Sequence, residues 1–386
     1  MNKTLDEKLN EVGLTIPNIL FPRDDIDLTK FSCIAADQYT HDIKYWDNVK
    51  AFVEDAPSTY NIIYPEAYLE SELEKDNANI DEVINKKITS IRSYMDKYID
   101  ENIYTDIGKC FIYVERKSTP VNRKGLLVAI DLEKYDYNTG AKSLMRATEL
   151  TVKERLVVRK KIRENAILDM PHILVLINDK KDVLFSELST NCKKNKLYDF
   201  DLMMDGGHIE GYKVDDTNIL NRIADILCDL KKDSNDGFLY AVGDGNHSLA
   251  AAKDSYVKTG KGRFALVELV NIYDKGLKFF PIHRLIKNCS KEKFKEITNI
   301  DPDNPIPLQE LQKVIDDCNF KIDYIHGKEE CLKLAEGNTN TAIVYDKFSF
   351  ETLFEDVIKN GSLCRKSFSM GEANDKRFYL EAQKII

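Results

Sequence analysis

Apolar positions along this chain follow two rhythms. Between residues 80 and 99, Ile80, Val83, Ile84, Ile88, Ile91, Met95 and Ile99 recur at three- and four-residue steps. That spacing predicts an amphipathic helix packed on a partner surface. Elsewhere the apolar residues form short continuous runs, the mark of buried strands. Residues 28–36 (LTKFSCIAA) end in such a run; a polar turn, Asp37-Gln38-Tyr39-Thr40, and a helix over 45–53 follow. Residues 110–115 and 125–132 read as two strands joined by a turn that Pro120 and Gly125 punctuate. From about residue 144 the pattern predicts a helix over 149–164 and a strand over 172–177. An Asp- and Gly-rich linker then covers 197–211. Asp216 or Thr217 can cap a helix with the stripe Ile219, Leu220, Ile223, Ile226, Leu227 and Leu230. A strand over 238–242, an alanine-rich helix to about 258 and a strand over 264–271 follow. The last hundred residues add helices near 308–318, 328–335 and 352–359 and a strand over 341–345. Strands alternating with helices throughout predict an α/β, mixed α+β architecture.

A length of 386 residues suits two or three domains. The expected division is an N-terminal α/β unit over 1–142, a central unit over 143–290 and a C-terminal α/β unit over 291–386. Apolar residues at 43% and charged residues at 31% are the balance of a soluble globular chain. No apolar run approaches the roughly 18 residues that cross a bilayer. The start, MNKTLDEKLNEVGL, is polar and unlike a secretory signal. The expectation is a cytoplasmic protein with no membrane partner. Its 8 cysteines are scattered, and no two form a CxxC pair. Reduced, buried thiols are expected rather than a zinc site. A net charge of −9 argues against nucleic acid as the main partner and points to a small molecule. Oligomeric state is not legible.

Against that acidic balance, a few constellations stand out. In FLYAVGDGNHSLAAAK (238–253) an apolar strand runs into Gly243-Asp244-Gly245-Asn246-His247-Ser248 and then directly into a helix-forming run. Glycines let backbone approach a ligand, and the free N–H groups at a helix start favour an anion. Asp244 is placed to hold a cation or a hydroxyl. A bare turn needs one cap and one glycine, and this one carries more. Between 146 and 163 stand seven basic side chains (Arg146, Lys153, Arg155, Arg159, Lys160, Lys161, Arg163) against Glu149 and Glu154. In a helix, Arg155, Arg159 and Arg163 share a face, and arginine forks suit phosphate. A solvated helix face with ion pairs suits the same strip. Glu149, at the expected head of that helix, is a candidate general base. Asp205-Gly206-Gly207-His208 is a second glycine turn holding a histidine, equally suited to a surface loop. His283 and Arg284 are a modest anion-site pair. Arg365-Lys366-Ser367-Phe368-Ser369 is a basic, hydroxyl-rich loop. There is no GxxxxGK[ST] loop, no GxGxxG after a strand, no HExxH and no GxSxG.

In this order the motifs resemble the bacterial and archaeal domain-of-unknown-function 1015 family. The resemblance rests on Ala36-Asp37-Gln38-Tyr39-Thr40, RATELTVKER (146–155), RENA and MPHILVLI (163–177), DLMMDGGHI (201–209), VGDGNHSLAAAK, Pro-Ile-His-Arg (281–284) and RKSFSMGEANDKRFYLE (365–381). The Asp-Gly-Asn-His-Ser run is also similar to the Asp-Gly-His-His-Arg signature of the ParB-like and sulfiredoxin-like group, which includes the free-serine kinases. Here Asn246 replaces the first His and Ser248 the Arg. An arginine from 365, 284 or the 155–163 strip would have to replace the lost one.

The resemblance implies a central ParB-like domain over 143–290 and a phosphoryl transferase acting on a small hydroxyl compound, free L-serine. The expected donor is pyrophosphate, or ADP, with Mg²⁺ near Asp244. Glu149, Asp244 and His247 are the implied catalytic set. Arg146, Arg155, Arg159, Arg163, Gly243, Gly245, Asn246, Ser248, His283, Arg284, Arg365 and Lys366 are the implied phosphate and donor set. Asp37, Gln38, Gly207 and His208 are the implied substrate set. A non-catalytic ParB-like binder of nucleotides or phosphometabolites is the alternative. A sulfiredoxin-like reaction needs a cysteine at the turn, and none lies between Cys228 and Cys289.

Overall fold

The computed structural model describes residues 3–73, 79–118, 121–153 and 156–386. Its centre is a mixed ten-stranded sheet. The strand order is Lys196–Asp201, His208–Val214, Phe111–Lys117, Arg123–Asp131, Phe264–Asn271, Leu174–Ile177, Tyr240–Asp244, Met145–Ala147 and Tyr135–Asp136, with Leu14–Thr15 added against Arg123–Asp131. The central strands are continuous apolar runs because both faces of the sheet are covered; all four residues of Leu174–Ile177 are buried. One face packs on the helices Leu5–Glu11, Val183–Asn191 and Thr217–Asp233. The other face meets the N-terminal helices Ile43–Val53 and Ile80–Asp100, and beside them the C-terminal helix Leu353–Asn360. The sheet takes strands from both sides of residue 142. A smaller four-stranded sheet joins Ile322–His326, Phe279–Ile286, Thr341–Ile343 and Phe368–Met370.

Most of the expected elements form, including the Thr217–Asp233 helix capped by the Asp216 carboxylate. Three expectations are corrected. Residues 28–36 are not a strand: Asp27 accepts the N–H groups of Thr29 and Lys30 and starts the short helix Leu28–Phe31, and a single bridge from Ile34 to Phe378 follows. Residues 197–211 are not a linker but a hairpin, Lys196–Asp201 with His208–Val214. Its polar residues lie on an edge strand, where alternation is hard to see. The helix expected from 149 starts at Leu156. Glu149 instead lies in extended backbone paired with Leu363, which donates to Thr148 O at 2.7 Å and accepts from Leu150 N at 3.1 Å. The cysteines form no disulfide, and seven of them are buried. Among the described residues no helix is long and apolar enough to cross a membrane.

Candidate functional site

The strand Tyr240–Asp244 ends at Gly245, whose φ of 82° is in the left-handed region, and the helix Asn246–Thr259 begins at once. Gly243 permits a second close approach: a Cβ there would lie 2.3 Å from Met370 Sδ. The strand Phe368–Met370 therefore lies directly on the turn. The stretch 148–152 flanks it as well, since Thr148 Oγ1 donates to Val242 O at 2.7 Å and Val152 N–H donates to His247 Nε2 at 3.2 Å. His247 is thus an anchor between turn and flank. The Asn246 Oδ1 atom is buried and has no partner among the described residues.

On one side of the turn is a cavity of about 160 Å³. Asp37, Glu66, Arg159, Arg163, Asp169, His172, Ser248 and Tyr379 are among its lining residues. Burial works against ionisation of Asp37, but His172, the Arg159 charge, a hydrogen bond from Gln38 Nε2 (2.9 Å) and the Lys376 charge hold it below the usual aspartate value. Burial pushes His172 down despite Asp37 and Asp244 beside it, which keeps the ring neutral near pH 7. His172 Nδ1 is buried without a hydrogen-bond partner among the described residues. Lys376 reaches Asp244 Oδ1 at 3.3 Å. Arg159 pairs with Glu66, and Arg163 with Asp169.

The placement of Lys376 has a visible cause. Arg116 and Arg123 donate to the carbonyls of Asn374 and Asp375, each at 2.7 Å. Arg377 bonds Glu268 at 2.8 Å and also pairs with Glu381, while Arg123 bonds Glu268 at 3.2 Å. Tyr379 runs back beside the N-terminal segment, donating its N–H to Cys33 O at 2.8 Å. Glu66, His172, Lys376 and Tyr379 carried no assigned role in the sequence. The last three lie inside motifs already singled out, but spacing alone does not tell which members meet in space.

The loop 364–368 leads into the strand Phe368–Met370 that lies on the turn. The Glu149 carboxylate accepts three consecutive backbone N–H groups there: Lys366 to Oε2 at 3.1 Å, and Ser367 and Phe368 to Oε1 at 2.9 and 3.4 Å. Burial raises the Glu149 carboxyl above its usual value, although Lys366 and these N–H groups work against that. Arg284, fully buried, holds the same loop by its carbonyls, donating to Lys366 O at 2.6 Å and Arg365 O at 3.0 Å. Its other bonds go to Ile282 O, Gln312 Oε1 and Cys364 Sγ. Arg284 is therefore a loop clamp, with its guanidinium bonded to groups of the protein itself. The Arg365 guanidinium lies 5.2 Å from the Tyr324 ring centre, and its Nε is buried without a hydrogen-bond partner among the described residues.

Other expected residues lie apart from this cluster. Arg146 is buried, bonds Ser143 O and the Asp236 carboxylate at 3.0 Å each, and lies over the Phe238 ring. His283 is buried, accepts the Tyr345 N–H at 3.3 Å, and is pushed down to about 4 by burial and by nearby cations. Gly207 and His208 belong to the 196–214 hairpin and do not line the cavity. There His208, Asp199 and Glu210 cluster, with the Lys196 ammonium paired to both carboxylates. Arg155 lies outside the described residues.

Several solved structures are similar over much of the chain. A conserved hypothetical protein from Pyrococcus furiosus is 13% identical at a TM-score of 0.34, covering 69% of this chain and 97% of its own. A mutant free serine kinase in complex with ADP is 12% identical at 0.38, covering 66% and 90%. SbnI with a C-terminal truncation, from Staphylococcus aureus, is 13% identical at 0.35, covering 64% and 82%. No curated protein matches. The family model described as protein of unknown function, DUF1015, matches residues 20–358, and the chain belongs to that family.

Proposed function

We propose that this protein is a phosphotransferase that phosphorylates a small hydroxyl compound, with free L-serine as acceptor and pyrophosphate or ADP as donor. The observation that carries the reading is the convergence of two carboxylates, Asp37 and Asp244, with Arg159, Lys376 and neutral His172 beside the Gly245 turn. Phosphoryl transfer asks a protein chiefly for positioning and charge neutralisation. The start of the Asn246–Thr259 helix receives the transferred group, and Arg159 and Lys376 offset its charge. The lack of any nucleotide-cradle motif accords with a compact donor.

The serine oxygen attacks the terminal phosphorus, the bond to the leaving phosphate or AMP breaks, and the leaving group keeps the electron pair. The serine proton passes to Glu149. An ionised carboxylate offers about four acceptor sites, and backbone bonds occupy three of them here. The raised pKa makes Glu149 a better proton acceptor than Asp37. Mg²⁺ fits this donor set in the manner usual for the ion: Asp244 and Asp37 would hold it beside phosphate oxygens, and it would supply further charge neutralisation.

The test is phosphorus NMR of the protein with L-serine and Mg²⁺, run with pyrophosphate, ADP and ATP in turn. A phosphoserine resonance with pyrophosphate or ADP is expected. Its absence with every donor, from folded protein, overturns the reading. A thermal shift with CTP or another nucleotide, without turnover, would then favour a binding module.

A further inference from the structure

The backbone N–H groups of Lys366, Ser367 and Phe368 point at one spot. Lys366 has a φ of 57°, and this left-handed residue makes the run a concave nest of donors. Such nests bind anions. Two cationic side chains, Arg365 and Lys366, belong to the same loop, and Arg365 Nε is buried without a hydrogen-bond partner among the described residues. The anion in the nest is the protein's own: the Glu149 carboxylate, bonded at 2.9–3.4 Å.

Building on the proposed phosphotransferase, we propose that this nest is a phosphate subsite and that Glu149 is its internal plug. Carboxylate and phosphate compete for the same three donors. Phosphate brings more charge and a third oxygen, which suits the adjoining Arg365 and Lys366. Only the Glu149 side chain has to leave. The backbone of 148–150 stays paired to Leu363 through Thr148 O and Leu150 N, and Arg284 keeps the loop in place by its carbonyls. Filling the nest releases the Glu149 carboxylate from its backbone bonds. The residue that accepts the serine proton thus becomes available when phosphate is bound.

Two arms test this. In the first, calorimetry measures binding of inorganic phosphate, pyrophosphate and O-phosphoserine to the full chain and to Glu149→Gln and Glu149→Ala. Removing the plug is expected to tighten at least one of these ligands tenfold or more. The ligand that gains most tells whether the subsite serves the leaving phosphate, the donor or the product. Unchanged or weaker binding of all three to both variants, with the fold checked by circular dichroism, overturns the proposal. In the second arm, backbone amide NMR follows Lys366, Ser367 and Phe368 in the unmodified protein. Shifts at these amides on adding pyrophosphate are expected, and shifts confined to the start of the Asn246–Thr259 helix overturn the proposal. Neither arm depends on turnover. A protein that makes phosphoserine without the predicted tightening refutes the plug and leaves the phosphotransferase standing; tightening without phosphoserine does the reverse.

Discussion

Asp37 and Glu149 belong to two separate sets of partners and are held in opposite ways. Both are removed from bulk water, which alone would raise both. Asp37 faces His172, Arg159 and Lys376 and stays low. Glu149 faces three backbone N–H groups and the flexible Lys366, and ends high. At Asp37 the neighbouring cationic groups outweigh desolvation, whereas at Glu149 the three N–H groups and Lys366 do not. In the proposed reaction the Asp37 cluster therefore holds charge and Glu149 exchanges the proton.

Turnover gives the largest expected break in this comparison. Asp37→Asn, Asp244→Asn and Glu149→Gln should each lower phosphoserine formation by about 10²–10⁴-fold, the usual range for an acid–base or charge-positioning group. Melting temperatures should move by only a few degrees. If variants in one set alone lose activity, the two sets do not form one reaction centre.

Stability comes next. Glu268, with no exposure, bonds both Arg123 and Arg377. Glu268→Gln removes the counter-charge that Arg123 and Arg377 share, leaving Arg377 its pair with Glu381, and should cost about 3–5 kcal/mol in urea unfolding. No such loss is expected for Lys366→Gln on the exposed loop. Gly243→Ala drives a methyl into Met370 Sδ and should cost roughly 1–3 kcal/mol. In a Met370→Ala background that cost should shrink; equal costs in both backgrounds would disprove the contact.

The smallest effect is in pH dependence. The lowered carboxyl of Asp37 contributes stability above its unfolded value near 3.8, and this is lost as pH falls through the still lower folded value. Glu149 has the opposite sign. Its raised carboxyl carries a penalty above the folded value, and that penalty fades as pH falls toward the unfolded value near 4.5. Relative to the parent, Asp37→Asn should therefore look better as pH falls, and Glu149→Gln as pH rises. Chemical denaturation between pH 3 and 7 would show the crossed slopes, and parallel slopes would remove the distinction.

Much of the secondary structure was legible because burial on a helix face or in a strand leaves a period in the chain. The 80–99 stripe and the Asp216 cap are local signals, and both elements formed. The Gly-Asp-Gly-Asn-His turn was legible for the same reason, since its left-handed glycine and adjoining helix are written in consecutive residues. The head of the basic helix was misplaced because Glu149 takes its conformation from Leu363, more than 200 residues along the chain. Periodicity carries no trace of so distant a partner.

The sequence by itself thus determined most of the elements, the strand–turn–helix at Gly245 and the family to which the motifs belong. Only the tertiary structure decided which charges meet. It joined Asp37 to His172 and Lys376, assigned Arg146 and Arg284 to internal carbonyls and carboxylates, and filled the 366–368 nest with Glu149. The physical reason is range. Helix periods and caps act over a few residues, whereas the energy of a buried charge depends on every partner the fold brings within a few ångströms.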